Sequence, residues 1–89
     1  MTNIRNLEQQ LRAVASARRL GILSFLKKNQ SATVSEIAKA VRLHITSASQ
    51  HLRILKSVGI IEHKKRGLFV TYRLSLKQEE PVKKILSML

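Results

Sequence analysis

The chain has 89 residues, enough for one domain with a single core, and its lack of cysteine excludes disulfides and thiolate metal sites. Seventeen Lys and Arg residues against five Glu and no Asp give a net charge of +12, a balance that attracts polyanions, most commonly nucleic acid. The sequence contains neither a signal-peptide pattern nor an apolar run long enough to span a bilayer. We therefore expect residues 1–89 to form one cytoplasmic domain with no membrane partner.

The first part of the sequence has the hydrophobic periodicity of two helices. The first is predicted over residues 3–15 and carries a narrow apolar stripe. The second is predicted over residues 17–28, after Ser16 as its N-cap. Apolar residues cover more than one face of this second helix, so we expect it to lie deep in the core.

The next two helices are short and close together. Thr33 and Glu36 have the spacing of a capping box, which predicts the start of a helix over residues 34–41. After a tight turn, a second periodic stretch predicts a helix over residues 45–57, ended by Gly59. Two helices joined in this way are typical of a helix-turn-helix unit, whose second helix fits the major groove of DNA.

The remainder of the sequence changes from helical to β periodicity and back. Two β-rich runs, residues 61–64 and 68–74, flank Lys65, Arg66 and Gly67, which are predicted to form a hairpin loop. A last helix is predicted over residues 79–89. The fold class is therefore mainly α with a small β-hairpin, in the order α-α-α-α-β-β-α of a winged helix-turn-helix.

The fourth helix and the hairpin supply the candidate DNA contacts. Ile45, Ala48, Leu52 and Leu55 recur at the spacing of one buried face. The polar residues elsewhere on this helix can donate or accept hydrogen bonds, none is acidic, and they suit base edges and phosphates. The residues predicted to contact DNA from this helix are Thr46, Ser47, Ser49, Gln50, His51 and Arg53. From the hairpin, the adjacent cations Lys64, Lys65 and Arg66 suit contact with phosphates or insertion near the minor groove.

The two terminal helices are more apolar than those of a small monomer need to be. We therefore predict that they pair across a two-fold axis in a homodimer. The residues predicted at this interface are Ile4, Leu7, Leu11, Val14, Val82, Ile85, Leu86 and Leu89.

One continuous stretch, from Ser47 to Ile61, contains a Ser-x-His-Leu motif and a Gly-Ile turn and is followed by Arg66-Gly67 and by Tyr72-Arg73-Leu74. Together with residues 18–23 and 34–38, it resembles the ArsR/SmtB family of bacterial and archaeal repressors. The resemblance implies a homodimer that binds palindromic operators and usually represses its own operon. It also implies that Thr46, Ser49 and Gln50 carry the base and phosphate contacts, with His51 beside them.

The sequence departs from that family where metals are sensed. Many members place cysteines at the start of the third helix, where this chain has Thr33 and Ser35, and others place Asp and His on the last helix, which here offers Glu79 and Glu80. The glycine that is frequent in the family's turn is replaced here by Arg42. The small or polar residue that usually caps the fourth helix is replaced by His44. We expect no metal and no cofactor.

Catalysis has no candidate residues. The three histidines, His44, His51 and His63, fall on a turn, a helix and a strand, a Ser-His-Asp set is impossible without Asp, and no Gly-rich phosphate loop is present. The protein is therefore not expected to be an enzyme. The leading hypothesis is a sequence-specific binder of double-stranded DNA that represses transcription by blocking polymerase.

Two alternatives remain open. The protein could be a basic architectural protein that coats nucleic acid with little sequence preference, which the ratio of specific to non-specific affinity would reveal. It could also be a winged-helix module that has lost DNA binding and recognises proteins, which failure to bind any duplex at low salt would indicate.

Overall fold

The structure, a computed structural model, describes residues 3–89. The order of the elements is that predicted, with one additional short strand. The elements are α1 (Ile4–Val14), α2 (Ala17–Asn29), β1 (Ala32–Thr33), α3 (Val34–Ala40), α4 (Ile45–Ser57), β2 (Ile61–Arg66), β3 (Phe69–Leu74) and α5 (Glu80–Ser87). The helix-turn-helix unit is α3, the turn and α4, and the hairpin of β2 and β3 follows it as the wing.

Local hydrogen bonds fix the starts of the helices. The Ser16 hydroxyl accepts from the Arg19 N–H at 3.3 Å, which confirms Ser16 as the N-cap of α2. The capping box at α3 is also confirmed: Glu36 Oε1 accepts from the Thr33 N–H at 2.8 Å, and Thr33 Oγ1 accepts from the Glu36 N–H at 3.2 Å. The backbone and side-chain hydrogen bonds with Thr33 lower the pKa of the Glu36 carboxyl below its ordinary value.

The hydrophobic core is built around α2, as its all-round apolar pattern predicted. Nearly all of its members are aliphatic and come from every helix and from the base of the wing. The largest fully buried side chains are Ile22, Leu23, Leu26, Ile37, Leu52, Leu55, Ile60, Ile61 and Val82. Close packing of these side chains fixes α4 and the wing relative to one another.

The sheet has three strands rather than the two predicted. The additional strand β1 pairs antiparallel with β3, so the strand order is β1-β3-β2. Its residues Ala32 and Thr33 lie opposite Tyr72 and Thr71. A two-residue strand has no periodicity of its own, and only pairing with a distant segment creates it.

The terminal helices α1 and α5 pack against each other and against α2. The Lys27 ammonium donates to the carbonyl oxygens of Leu86 at 2.9 Å and Leu89 at 3.1 Å, at the end of α5. The buried Gln10 side chain donates from Nε2 to the carbonyl oxygen of Val58 at 3.2 Å, so α1 is tied to the end of α4. None of the helices within residues 3–89 is long and apolar enough to cross a membrane.

Candidate nucleic-acid interface

Helix α4 has one buried face and one polar exposed face. Ala48, Leu52 and Leu55 are fully buried against α3, α2 and the base of the wing. Thr46, Gln50 and Arg53 are exposed, and Ser47, Ser49 and His51 lie half-buried on the flanks. The exposed face therefore offers hydroxyl, amide and guanidinium groups with no carboxylate among them.

The N-terminus of α4 is open to solvent. The prediction that Ile45 faces the core was wrong, because this residue is 53% exposed. It is the first residue of α4, and the helical spacing that buries Ala48 and Leu52 does not bury it. His44 is the N-cap but makes no side-chain capping hydrogen bond. The first backbone N–H groups of α4 therefore have no side-chain partner, and they are available to an anion.

Arg19 joins α1, α2 and α4 in one hydrogen-bond network. Its Nε donates to the carbonyl oxygen of Ala13 at 2.6 Å, and Nη2 donates to that of Arg12 at 3.4 Å. Its Nη1 lies 3.2 Å from His51 Nδ1. A guanidinium can only donate, so His51 Nδ1 accepts and the imidazole proton is on Nε2.

This environment favours the neutral form of His51. Burial lowers the pKa of its imidazole below the ordinary value, and the positive charges of Arg19 and Arg18 lower it further. His51 therefore presents an Nε2–H donor on the flank of α4 rather than a full positive charge. The role of Arg19 was missed at the sequence level, because its contacts come from three different helices.

The wing carries its three cations in a strand and not in a loop. Lys64, Lys65 and Arg66 were predicted around a loop tip, but all three belong to β2 and pair with residues of β3. The turn consists of Gly67 and Leu68 alone. Gly67 has a φ of 58°, the positive φ that a two-residue hairpin turn commonly places on glycine. The ladder continues to the pair Arg66 and Phe69, which leaves no room for a longer loop.

The strand alternation divides the cations between two faces. Lys64 and Arg66 share the outer face with Glu62, whereas Lys65 lies on the other face, that of Ile61. His63 connects the wing to α4, because Lys56 Nζ lies 3.0 Å from its Nδ1 and its ring meets that of Tyr72 edge-on, with centroids 6.0 Å apart. The Lys56–His63 contact thus links β2 to α4 at the surface.

The cations of this surface are not neutralised internally. Within residues 3–89, the ion pairs are Arg12 with Glu8 at 3.7 Å and Arg73 with Glu62 at 2.6 Å. In the same range, no ion pair involves the cations of α4 or those of the strand Lys64–Arg66. Their charge adds to the net +12 and is directed to solvent.

The residues predicted at the dimer interface divide into three groups. Val14, Val82 and Leu86 are buried in the core of the protomer itself, so they have almost no surface left to offer a second copy. That part of the prediction is corrected. Ile85 and Leu89 are half-buried against the same core. Ile4 and Leu11 are exposed and form an apolar face of α1 with Leu7 and Ala15, bordered by Glu8 and Arg12.

The side chains that could bind a metal are dispersed. Between residues 3 and 89, no three His, Cys, Asp or Glu side chains converge in a metal-binding arrangement. His44, His51 and His63 lie on the turn, α4 and β2, as the sequence predicted. The absence of metal and cofactor stays a prediction.

The sequence profile of bacterial regulatory proteins of the arsR family matches residues 16–63, from the N-cap of α2 to the first half of β2. The chain belongs to the ArsR family. It is 39% identical over 64 residues to the HTH-type transcriptional regulator Rv0324 of Mycobacterium tuberculosis, covering 72% of this chain and 28% of that protein. It is 37% identical over 65 residues to the HTH-type transcriptional repressor SmtB of the same species, covering 73% of this chain and 47% of the repressor. The chain thus spans half or less of the length of these relatives.

Solved structures share the fold of this chain. The homodimeric winged helix-turn-helix DNA-binding domain of Mb0332 from Mycobacterium bovis has 30% identity and a TM-score of 0.81, covering 96% of this chain and 75% of that one. Reduced HlyU from Vibrio cholerae has 32% identity and a TM-score of 0.80, covering 98% and 87%. The winged helix-turn-helix fold predicted from the sequence is confirmed.

Proposed function

We propose that this ArsR-family protein is a homodimer that binds operator DNA with sequence specificity and represses transcription. The observation that carries this proposal is the exposed face of α4, where Thr46, Gln50 and Arg53 stand clear of the core on a helix that lacks acidic residues. A helix of this width fits the major groove, and these side chains have the donors and acceptors that read base edges. The relatives' names, transcriptional regulator and transcriptional repressor, support the same function.

Base reading is assigned to the exposed side chains of α4. The Gln50 amide can pair bidentately with adenine, and the Arg53 guanidinium with guanine. Thr46 lies in the first turn, the part of a recognition helix that usually enters the groove first. Ile45 is exposed beside it and can contact a thymine methyl group.

Phosphate binding is assigned to the edges of this surface. The unpartnered N–H groups at the start of α4 and the hydroxyls of Ser47 and Ser49 suit phosphate oxygens. The Nε2–H of neutral His51 adds a donor without adding charge. The cations of β2, from Lys64 to Arg66, supply the charge that holds the wing to the duplex.

The dimer uses the exposed apolar stripe of α1. Ile4 and Leu11 are exposed on one face of that helix, with the half-buried Leu7 between them. A two-fold axis would place this patch against its own copy and present two α4 helices to a palindromic operator. The homodimeric state of the Mb0332 domain supports this arrangement. Repression follows sterically, because an occupied operator excludes polymerase.

The remaining expectations belong to the same proposal. We infer that the protein acts in the cytoplasm, is not an enzyme, and needs neither a metal nor a cofactor to bind DNA. A second candidate, a basic protein that coats nucleic acid, is favoured by the net charge of +12 alone. Charge attracts all duplexes alike, whereas the amide and hydroxyls of α4 add nothing to indiscriminate coating.

Selection of bound duplexes from a random pool tests specificity and recovers the operator at once. The recovered duplex and a scrambled one are then compared by fluorescence anisotropy across a salt series. Gln50→Ala should weaken operator binding by about 1–3 kcal/mol and hardly affect the scrambled duplex. Lys65→Ala should weaken both and reduce the salt slope by about one unit per lost phosphate contact, about two per dimer.

Matched controls separate these effects from general damage. Gln9 is an exposed glutamine of α1, and Lys83 is an exposed lysine of α5. Neither Gln9→Ala nor Lys83→Ala should change binding to either duplex. Selection that recovers no preferred sequence, or Gln50→Ala and Lys65→Ala acting alike on both duplexes, would favour coating over operator recognition.

A further inference from the structure

The tip of the wing is apolar. Leu68 is 98% exposed and Phe69 is 71% exposed, so two large hydrophobic side chains stand adjacent in solvent. Further along β3, Tyr72 and Leu74 pack against the core, which the tip does not reach. Leaving both side chains in water forgoes the free energy that their burial would provide, and a polar turn would serve the hairpin equally well.

The surroundings of this apolar tip are strongly basic. Lys64, Lys65 and Arg66 directly precede the turn, and Arg66 lies opposite Phe69 in the ladder. The single acidic side chain of the strands, Glu62, lies at the base of the wing and is paired with Arg73. A partner of the tip must therefore have a strongly anionic surface. It must also have an apolar region that the side chains of Leu68 and Phe69 can reach.

We propose that Leu68 and Phe69 form a wedge that enters the minor groove of duplex DNA and pushes between neighbouring base pairs, an inference that rests on the proposed DNA-binding function. Base pairs are apolar on their faces and lie between two rows of phosphates. The cations of β2 bind those phosphates while the wedge unstacks one base step and bends the duplex, as apolar wedges do in other minor-groove proteins.

The dimensions of the tip favour DNA over an anionic membrane. Membrane-surface segments bury a long apolar face, whereas this tip offers two side chains on a narrow two-residue turn. In the dimer, the two wings carry one wedge each at symmetric positions on either side of the centre. Flexible pyrimidine–purine steps unstack most readily, so the wedges select them without hydrogen bonds to the bases.

The test uses the duplex recovered by selection, with 2-aminopurine placed in turn at each position of its flanks. Wild-type protein should raise the fluorescence at one symmetric pair of steps, and energy transfer between dyes at the duplex ends should report a bend. Leu68→Ser with Phe69→Ser should abolish both signals and weaken binding about tenfold with an unchanged salt slope, because apolar contacts and no cations are lost.

Two further variants control for polarity and folding. Leu76 is 86% exposed and lies outside the wing, so Leu76→Ser should leave binding, bending and fluorescence unchanged. Phe69→Leu retains an apolar side chain and should keep most of the bend. The double serine variant should melt at the wild-type temperature, since neither side chain is buried.

Distinct results would overturn the wedge. Unchanged affinity and bending in the double serine variant would overturn it while leaving the proposed function intact. If the double serine variant loses binding to vesicles containing phosphatidylserine while its DNA binding is unchanged, the tip is assigned to membranes instead. A wild-type protein that binds no duplex would overturn the proposed function, and the wedge with it.

Discussion

Arg42 lies in the turn between α3 and α4 with a φ of 57°, in the left-handed region that glycine adopts more easily than other residues. Its side chain is exposed, and the turn is held by the Leu43 N–H, which donates to the carbonyl oxygen of Ala38 at 2.9 Å. Left-handed backbone costs a residue with a Cβ about 1–2 kcal/mol. Glycine avoids that cost but loses about 0.5–1 kcal/mol more conformational entropy than alanine on folding. We therefore expect Arg42→Gly to be about 0.5–1 kcal/mol more stable than Arg42→Ala.

The comparison of glycine with alanine isolates the backbone, because both substitutions remove the same guanidinium. Lys83, exposed within α5, provides a control with the opposite sign. In a helix, glycine is about 1 kcal/mol less favourable than alanine, so Lys83→Gly should be less stable than Lys83→Ala. The ranking of the two residues should thus reverse between the turn and the helix.

Urea unfolding followed by circular dichroism measures all four variants. The protomer concentration must be the same throughout, since the stability of a dimer depends on it. The difference at position 42 corresponds to a shift of a few degrees in melting temperature for a domain of this size. If Arg42→Gly proves no more stable than Arg42→Ala, the turn does not hold this residue in the left-handed region, and the reasoning fails.

The exposed stripe of α1 is expected to form the dimer contact, so Leu11→Glu should sediment as a monomer at micromolar concentration, whereas Leu76→Glu should remain dimeric. A monomeric wild-type protein would contradict this. The pKa of His51 is lowered by burial first and then by the charge of Arg19, so the unfolded chain binds a proton at higher pH than the folded chain does. Its contribution to stability is complete above pH 6.5, the ordinary value, and is lost as the pH falls below it. His51→Gln should flatten that decline in urea midpoints measured across the acidic range, and a slope that only His44→Gln removes would refute the assignment.

Much of the helical framework was predictable, because its signals are local. The capping box joins Thr33 to Glu36, and Ser16 caps α2 by accepting from the N–H of Arg19, three residues later. Helix α4 was predicted over residues 45–57 and runs from Ile45 to Ser57. Hydrogen bonds over three or four residues and a 3.6-residue period need no distant partner, so these features can be predicted from a short window.

The wing was predicted less well because the outer part of the hairpin is exposed to solvent. At the base, Ile61 and Leu74 mark the core face, and the pattern there fixes the register. Toward the tip both faces of the hairpin meet water, so side-chain polarity no longer indicates which residues pair. The pairing of Arg66 with Phe69 could not be predicted for this reason, and the composition there indicated a loop.

The sequence by itself determined the family, the order of the helices and the wing, and the polar character of the α4 surface, since all of these depend on local patterns and on composition. The tertiary structure alone decided which apolar residues remain in solvent. Val14, Val82 and Leu86 look like members of two exposed stripes but are covered by the core, whereas Ile45 has the spacing of a buried residue and is half exposed. Burial depends on what the rest of the chain places against a residue, and periodicity along one helix does not contain that information.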